Sequence, residues 1–436
     1  MFLVFFTGMV SSAVSAAVPE PPVVSSQSVM MLNARTGEKI YSKKSDTRIK
    51  TDTLLPILIS IAVKERKGHD EFVLVSESPE ETQISSSSNT MKLYSGEKMK
   101  IRDLITLVLL SGDDDAVISL ASAVSGSEEE FAAILQEKAS QLKMTDTKIT
   151  GILKSSSSED YTTVSDIALA MMELSRNEDL LKIAGETSVN FTPTNIAPEV
   201  RTLDNTNLQI YTQTQEYYEK AVAGIVSPEE TGGSYVSVAA DKDQMFIVAL
   251  SDTENPRDVY KNSKVLFDYG FNNFITKKLI PAGAKLQEWP LRDGTMLDLV
   301  TARDFYFTVE RGNAALLDMS HSINFKPREI SGDVFTRGEE MGLAEVFVDS
   351  HPVGEIPLLS ARDVELKPQT EAQNTDEYVS VRIWITRLLL TAALGAILIM
   401  IIRVWNKMRR SKVKQARLKK RRSEYIERKK TDEEDL

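Results

Sequence analysis

A serine or threonine hydroxyl is a poor nucleophile until a base takes its proton and donors surround the oxyanion that follows. Bases are few in this chain. Cysteine is absent, and the three histidines, His69, His321 and His351, lie far apart. Thiol chemistry and disulfides are excluded, and neither a metal site nor a cofactor is expected. Lysine is the remaining amine. A serine three residues ahead of a lysine puts the two side chains about one helical turn apart. Two places with that spacing are Ser140 with Lys143 and Ser411 with Lys414. The first pair falls in a predicted helix with no companion motif, and the second lies in a basic C-terminal stretch. Neither is expected to react.

The elements that would position a site are organised around Arg48 to Glu65, RIKTDTLLPILISIAVKE. It predicts an apolar helix entered through Asp52 or Thr53 as N-cap. Pro56 suits its first turn, where backbone N–H groups have no intrahelical partner. Ahead of it, Gln27 to Lys43 predicts a β-hairpin turning near Arg35-Thr36-Gly37. Behind it come an acidic loop, a polar run from Ser85 to Asn89, and helices over Ile101 to Val124 and Glu128 to Leu142. A loop over Ser155 to Asp160 and a helix over Thr163 to Ser175 follow. Strands are expected at Ala221 to Val226, Ser234 to Ala239 and Met245 to Leu250, then a helix over Arg257 to Tyr269. From about Thr276 the pattern changes to short alternating segments such as MLDLV, FYFTVE and AEVFVD, which argues a separate β-rich domain.

Both ends carry membrane signals. Phe2 to Val18 is apolar and closes on small residues, as an exported protein's leader would, although a basic start is missing. Near the other end, Ile383 to Ile402 makes twenty residues broken only by Arg387, long enough to span a bilayer. From Arg403 on there are fourteen Lys or Arg and six acids, a net +8, leaving −19 for everything before it. Such a basic flank places that side in the cytoplasm and the acidic body outside. Lying directly after an apolar span, the tail reads as an anchor near anionic lipid and not as a nucleic-acid arm.

Three further stretches fix an order along the chain: LLSGDDDAVISLA around Ser111-Gly112-Asp113, AVAGIVSPEETGGSYVSVAA around Val226-Ser227-Pro228, and LFDYGFNNF at Leu266 to Phe274. Gly96-Glu97 before Ile101-Arg102-Asp103-Leu104, Tyr161-Thr162-Thr163 before Asp166-Ile167-Ala168, and Asn205-Thr206-Asn207 lie between them. In that order and spacing, residues 27 to 275 resemble the D-alanyl-D-alanine carboxypeptidases, the low-molecular-mass penicillin-binding proteins of bacterial cell walls. The resemblance implies an α/β (α+β) transpeptidase-like domain with a helical subdomain, then a small β-rich domain and one transmembrane helix. It divides the chain into a signal peptide (1–18), a carboxypeptidase-like domain (27–275), a β-rich domain (276–366), a linker (367–380), a spanning helix (383–402) and a basic tail (403–436).

That family carries Ser-x-x-Lys, Ser-x-Asn and Lys-Thr-Gly, which supply nucleophile, base, proton relay and a cation for the substrate carboxylate. All three are altered here. The nucleophile position holds Thr53 and the lysine position Pro56, which cannot act as a base. Lys50 precedes the helix and would have to fold back to replace it. Ser111 matches the serine of the second motif, while Asp113 stands for asparagine and, ionised, would repel a carboxylate. Lys-Thr-Gly has become Val226-Ser227-Pro228, which loses the cation and puts a proline on an edge strand. The expectation is a pseudoenzyme that binds peptidoglycan or cell-wall enzymes. The alternative is an active carboxypeptidase with a rebuilt site using Thr53, Ser111 or Ser227. An open cleft between those three would favour ligand binding, and a filled one a scaffold.

Overall fold

The computed structural model describes residues 19–76, 91–153, 159–227, 233–328, 334–366 and 382–405. The leader, the run Ser85 to Asn89, most of the loop Ser155 to Asp160, Pro228, the linker 367–380, the tail beyond residue 405 and the pair Ser411 and Lys414 lie outside them. The chain divides into two units, Met1–Trp289 with Met296–Val364, and Pro290–Thr295 with Glu365–Leu436.

In the first unit, β1 (Ser28–Asn33) and β2 (Lys39–Lys43) form the expected hairpin, with Gly37 at φ 77° in its turn. The next elements are α1 (Leu54–Lys64), β3 (Phe72–Leu74), β4 (Lys98–Lys100), α2 (Ile101–Ser111), α3 (Asp114–Val124) and α4 (Glu128–Gln141). They are followed by α5 (Val164–Arg176), α6 (Glu178–Gly185), β5 (Ser188–Phe191) and β6 (Arg201–Asp204). Then come β7 (Ala221–Val226), β8 (Tyr235–Asp241), β9 (Gln244–Ser251) and α7 (Asp258–Asn273). The main sheet is antiparallel, in the order β2-β1-β9-β8-β7.

Both faces of that sheet are covered, so β1 is apolar without alternation and wholly buried. Met30 and Leu32 join the larger core with α1, α2 and α5, while Val29 and Met31 face the other way into a cluster built on α7. Every residue of α1 from Leu54 to Val63 is buried, which explains a helix apolar all round.

The central helix starts at Leu54 with Thr53 at the N-cap position, as expected, and Thr51 to Thr53 form a turn whose Thr51 carbonyl accepts from the amides of Leu54 and Leu55. Another boundary differs from the sequence expectation. The helix expected over Ile101 to Val124 is two helices. Gly112 adopts φ 63° and ψ 46° at the end of α2, and Asp113 starts α3 by accepting from the Ala116 amide. A left-handed glycine stops a helix whatever the apolar periodicity beyond it.

The β-rich part contains β10 (Phe274–Ile280), β11 (Lys285–Pro290), β12 (Met296–Thr301), β13 (Phe305–Glu310), β14 (His321–Pro327), β15 (Val334–Phe335), β16 (Glu340–Val348), β17 (His351–Ser360) and β18 (Val364–Glu365). Five of these form a sheet in the order β11-β12-β17-β16-β14. Trp289 on β11 and Phe325 on β14 meet edge to face at 4.9 Å, so the sheet curls until its two outer strands are in contact. A buried knot joins this part to the hairpin of β1. The Asn33 side-chain amide donates to the hydroxyls of Thr276 and Thr308 at 2.8 and 2.9 Å, and those hydroxyls lie 3.0 Å apart. The Asn33 side-chain carbonyl accepts from the amides of Arg35 and Thr36.

In the second unit, the helix Arg382–Trp405 has 24 residues, with an 18-residue stretch of mean hydropathy 2.4 none of which is buried. At 1.5 Å per residue it measures about 36 Å, long and apolar enough to cross a membrane.

Candidate functional site

Thr53 sits at the mouth of α1, held there by the segment before it. Ile49 exchanges backbone hydrogen bonds with Thr162, and the Arg48 guanidinium lies 3.9 Å from the centre of the Tyr161 ring. Thr53 does not cap its helix; its side chain turns to β8 instead. The Thr53 hydroxyl donates to the Ser234 carbonyl at 3.1 Å and lies 2.6 Å from the Ser234 hydroxyl. Since Thr53 has one proton to give, the Ser234 hydroxyl is the donor in the shorter bond. Thr53 is 0% exposed. Pro56 occupies the first turn, buried, and its carbonyl accepts from Ser60. Lys50 is exposed to solvent while the hydroxyl it would have to serve is buried.

The end of β7 meets Thr53 at the same residue, Ser234. Val226 ends β7 opposite Tyr235, and the Ser227 amide donates to the Ser234 carbonyl at 2.9 Å. One carbonyl therefore ties Thr53 to Ser227. Ser111 stands apart from that link. Its hydroxyl donates back to the Leu107 carbonyl at 2.8 Å, closing the last turn of α2. The neighbouring Leu110 carbonyl accepts from Thr206 at 3.3 Å.

Asp113 is 7% exposed and accepts from the Ala116 amide at 2.9 Å as the N-cap of α3. Burial pushes its carboxyl up to about 6, opposed by that amide and reinforced by Asp115 and Asp114. Its carboxylate therefore serves the fold, and the sequence expectation that it acts on a ligand did not foresee this capping role.

Beside Ser227 lies a cavity of about 190 Å³ lined by Thr206, Val226, Ser227, Ser234, Arg257 and Tyr260, among others. Thr53 and Ser111 are not among its walls. Behind it, Tyr235 donates toward Gln209 and Asn207, and Ser237 and Ser263 complete a buried polar network. Ser234 and Arg257 were not singled out from the sequence. Ser234 has a local signal only in hindsight: it is the last polar residue before an apolar strand. Arg257 was visible only as a helix start. Ser140 donates its hydroxyl to Gln136 on the exposed side of α4, and Lys143 has left the helix at φ 61°. Among the described residues no group of three or more acids and histidines could hold a metal.

Comparison with known proteins places this arrangement. Residues 15–249, more than half of the chain, match the family described as D-alanyl-D-alanine carboxypeptidase. Residues 274–366 match the penicillin-binding protein 5 C-terminal domain. The D-alanyl-D-alanine carboxypeptidase DacF of Bacillus subtilis is 21% identical over 344 residues, covering 78% of this chain and 86% of that one. Penicillin binding protein 5 from Haemophilus influenzae superposes with a TM-score of 0.60 at 19% identity, covering 79% of this chain and 99% of its own. A peptidoglycan synthesis regulatory factor from Streptococcus pneumoniae gives 0.56 at 17% identity, covering 78% and 100%. The fold is thus the penicillin-binding transpeptidase fold, α+β, followed by its β-rich C-terminal domain. With the carboxypeptidase model matched over more than half of its length and the β-rich domain after it, the chain belongs to the D-alanyl-D-alanine carboxypeptidase family.

Proposed function

We propose that this protein is a membrane-anchored, extracytoplasmic member of the family that works at the peptidoglycan wall as a binding or regulatory pseudoenzyme. The observation that carries the reading is the state of Thr53. Its hydroxyl is fully buried, donates to one oxygen of Ser234 and accepts from the other. No amine stands one turn along the helix, where Pro56 lies. A hydroxyl without a base and without access cannot attack a carbonyl. The cavity beside Ser227 and Ser234 supports retained binding, because its walls combine hydroxyls, apolar side chains and Arg257.

The organisation proposed is the one expected from the sequence: leader 1–18, carboxypeptidase-like domain 27–275, β-rich domain 276–366, linker 367–380, spanning helix 383–402 and basic cytoplasmic tail 403–436. Its partners would be peptidoglycan or the enzymes that process it, with the tail against anionic lipid.

The test is acylation of the full-length protein in detergent by a fluorescent penicillin, followed by intact mass, beside Thr53→Ala. No adduct is expected in either. An adduct lost in Thr53→Ala would overturn the pseudoenzyme reading. One that survives would move the nucleophile elsewhere, with Ser111 next. Co-sedimentation with purified peptidoglycan sacculi, expected to be positive, tests the binding half independently.

A further inference from the structure

The cavity beside Ser227 is small. Pockets that enclose a drug-sized ligand measure ~300–1,000 Å³, against about 190 Å³ here. It can take the end of a ligand while the rest lies outside. What kind of end it favours follows from its charges. Among the described residues that line it, Arg257 is the single cation, and no lining residue is acidic. The Arg257 guanidinium lies 3.0 Å from the Glu216 carboxylate. The two partners are unequal: the arginine side chain is 72% exposed and the glutamate 12%.

An entering carboxylate would meet an arginine whose charge is already matched by a fixed acid and screened by water. The more buried Glu216, held on that guanidinium, would repel it. The N-terminus of α7 adds little pull, since Asp258 already sits in its first turn. The other described walls are neutral: the hydroxyls of Thr206, Ser227, Ser234 and Thr253 beside Val226 and Val259. Thr206 already gives its proton to the Leu110 carbonyl and Ser234 its proton to Thr53, so these two oxygens are left to accept, which suits an amide N–H and not a carboxylate.

We infer that the cavity takes peptide ends that carry no free α-carboxylate, and that Glu216 is the residue setting this preference. The ligand class is a peptide whose terminal carboxyl is amidated or already joined to another chain, as in a cross-link. This rests on the binding reading above and narrows it to one side of the wall's chemistry, the joined peptide and not the unjoined one.

The experiment uses the full-length protein in detergent micelles and two synthetic probes, an acyl-D-alanyl-D-alanine with a free C-terminus and its carboxamide. Affinities are measured by calorimetry at fixed pH and salt, with wild type beside Glu216→Gln and Val226→Lys. The carboxamide is expected to bind about threefold tighter to the wild type, the scale on which an exposed ion pair acts. In Glu216→Gln, where Arg257 is no longer matched, the ratio should fall to one or reverse. Val226→Lys, which adds a cation on another wall, should reverse it without touching Glu216. A wild type that prefers the free acid, or a ratio unmoved in Glu216→Gln, would overturn the inference and leave the binding role standing. Binding of neither probe would overturn the binding role and this inference together. Near-ultraviolet circular dichroism of each variant separates lost selectivity from lost fold.

Discussion

At Thr53 and Asp113 the side chains are bonded inward, Thr53 to Ser234 and Asp113 to the Ala116 amide. Removing the Thr53 hydroxyl while keeping its shape leaves the Ser234 carbonyl and hydroxyl with one partner fewer each. Thr53→Val is therefore expected to cost about 1–3 kcal/mol in urea unfolding, the penalty for orphaned buried polar groups. An unchanged midpoint would mean that the pair does not hold α1 to β8. At Asp113 the argument turns on pH. Burial raises its carboxyl from 3.8 to about 6, so the folded chain holds that proton more tightly than the unfolded one. The resulting stabilisation is complete below about pH 4 and is lost as pH rises through 6. At pH 7.5 the buried charge is a net cost, and asparagine caps a helix without one. Asp113→Asn should raise stability by about 1–3 kcal/mol at pH 7.5 and change little at pH 4. A pH dependence of the thermal midpoint identical to that of the wild type would refute this. From the sequence, both positions could be read as substitutions. Their inward bonds could not, because Ser234 is 181 residues from Thr53.

Element by element, the strands of the main sheet, and β13 beyond it, were legible because each has a strong local signal. The hairpin of β1 and β2, the span of β7 and the alternation of β13 all follow from residue types within a few positions. The helices show where that kind of signal fails. Apolar periodicity runs straight through Gly112, yet the chain turns there because glycine alone takes φ 63° without strain. Gly112→Ala should cost about 1–2 kcal/mol in thermal unfolding; a loss below a few tenths would show that the turn tolerates a side chain. The short elements α6, β5 and β6 were missed, α6 because its apolar period at Leu180, Ile183 and Ala184 lasts barely two turns, and the strands because four residues hold little pattern. They are held by contacts far apart in sequence, such as the buried Glu97 paired with Arg201 and bonded to Thr194.

Across the whole molecule, the order of domains was legible from composition, but the connection between the first domain and the β-rich part was not. It depends on Asn33, which looks like an ordinary turn residue and proves to be 0% exposed with both amide protons and its carbonyl engaged. Asn33→Ala would leave Thr276 and Thr308 without their donor and is expected to cost about 2–3 kcal/mol. It should also expose the segment around Phe274 to limited proteolysis before the main sheet unfolds. Cleavage and unfolding that stay coincident would argue against a separate joint. Considered as a mechanism, that joint is a set of pins. One is the chain itself, passing from Asn273 to Phe274. Another is the Asn33 knot. Arg311 donates to the carbonyls of Phe271 and Asn272 at the end of α7, and Gln244 donates to the Phe274 carbonyl. A body pinned at one point swivels, and each further pin takes away a freedom of rotation, so these bonds restrain the β-rich part against both the hairpin of β1 and the end of α7.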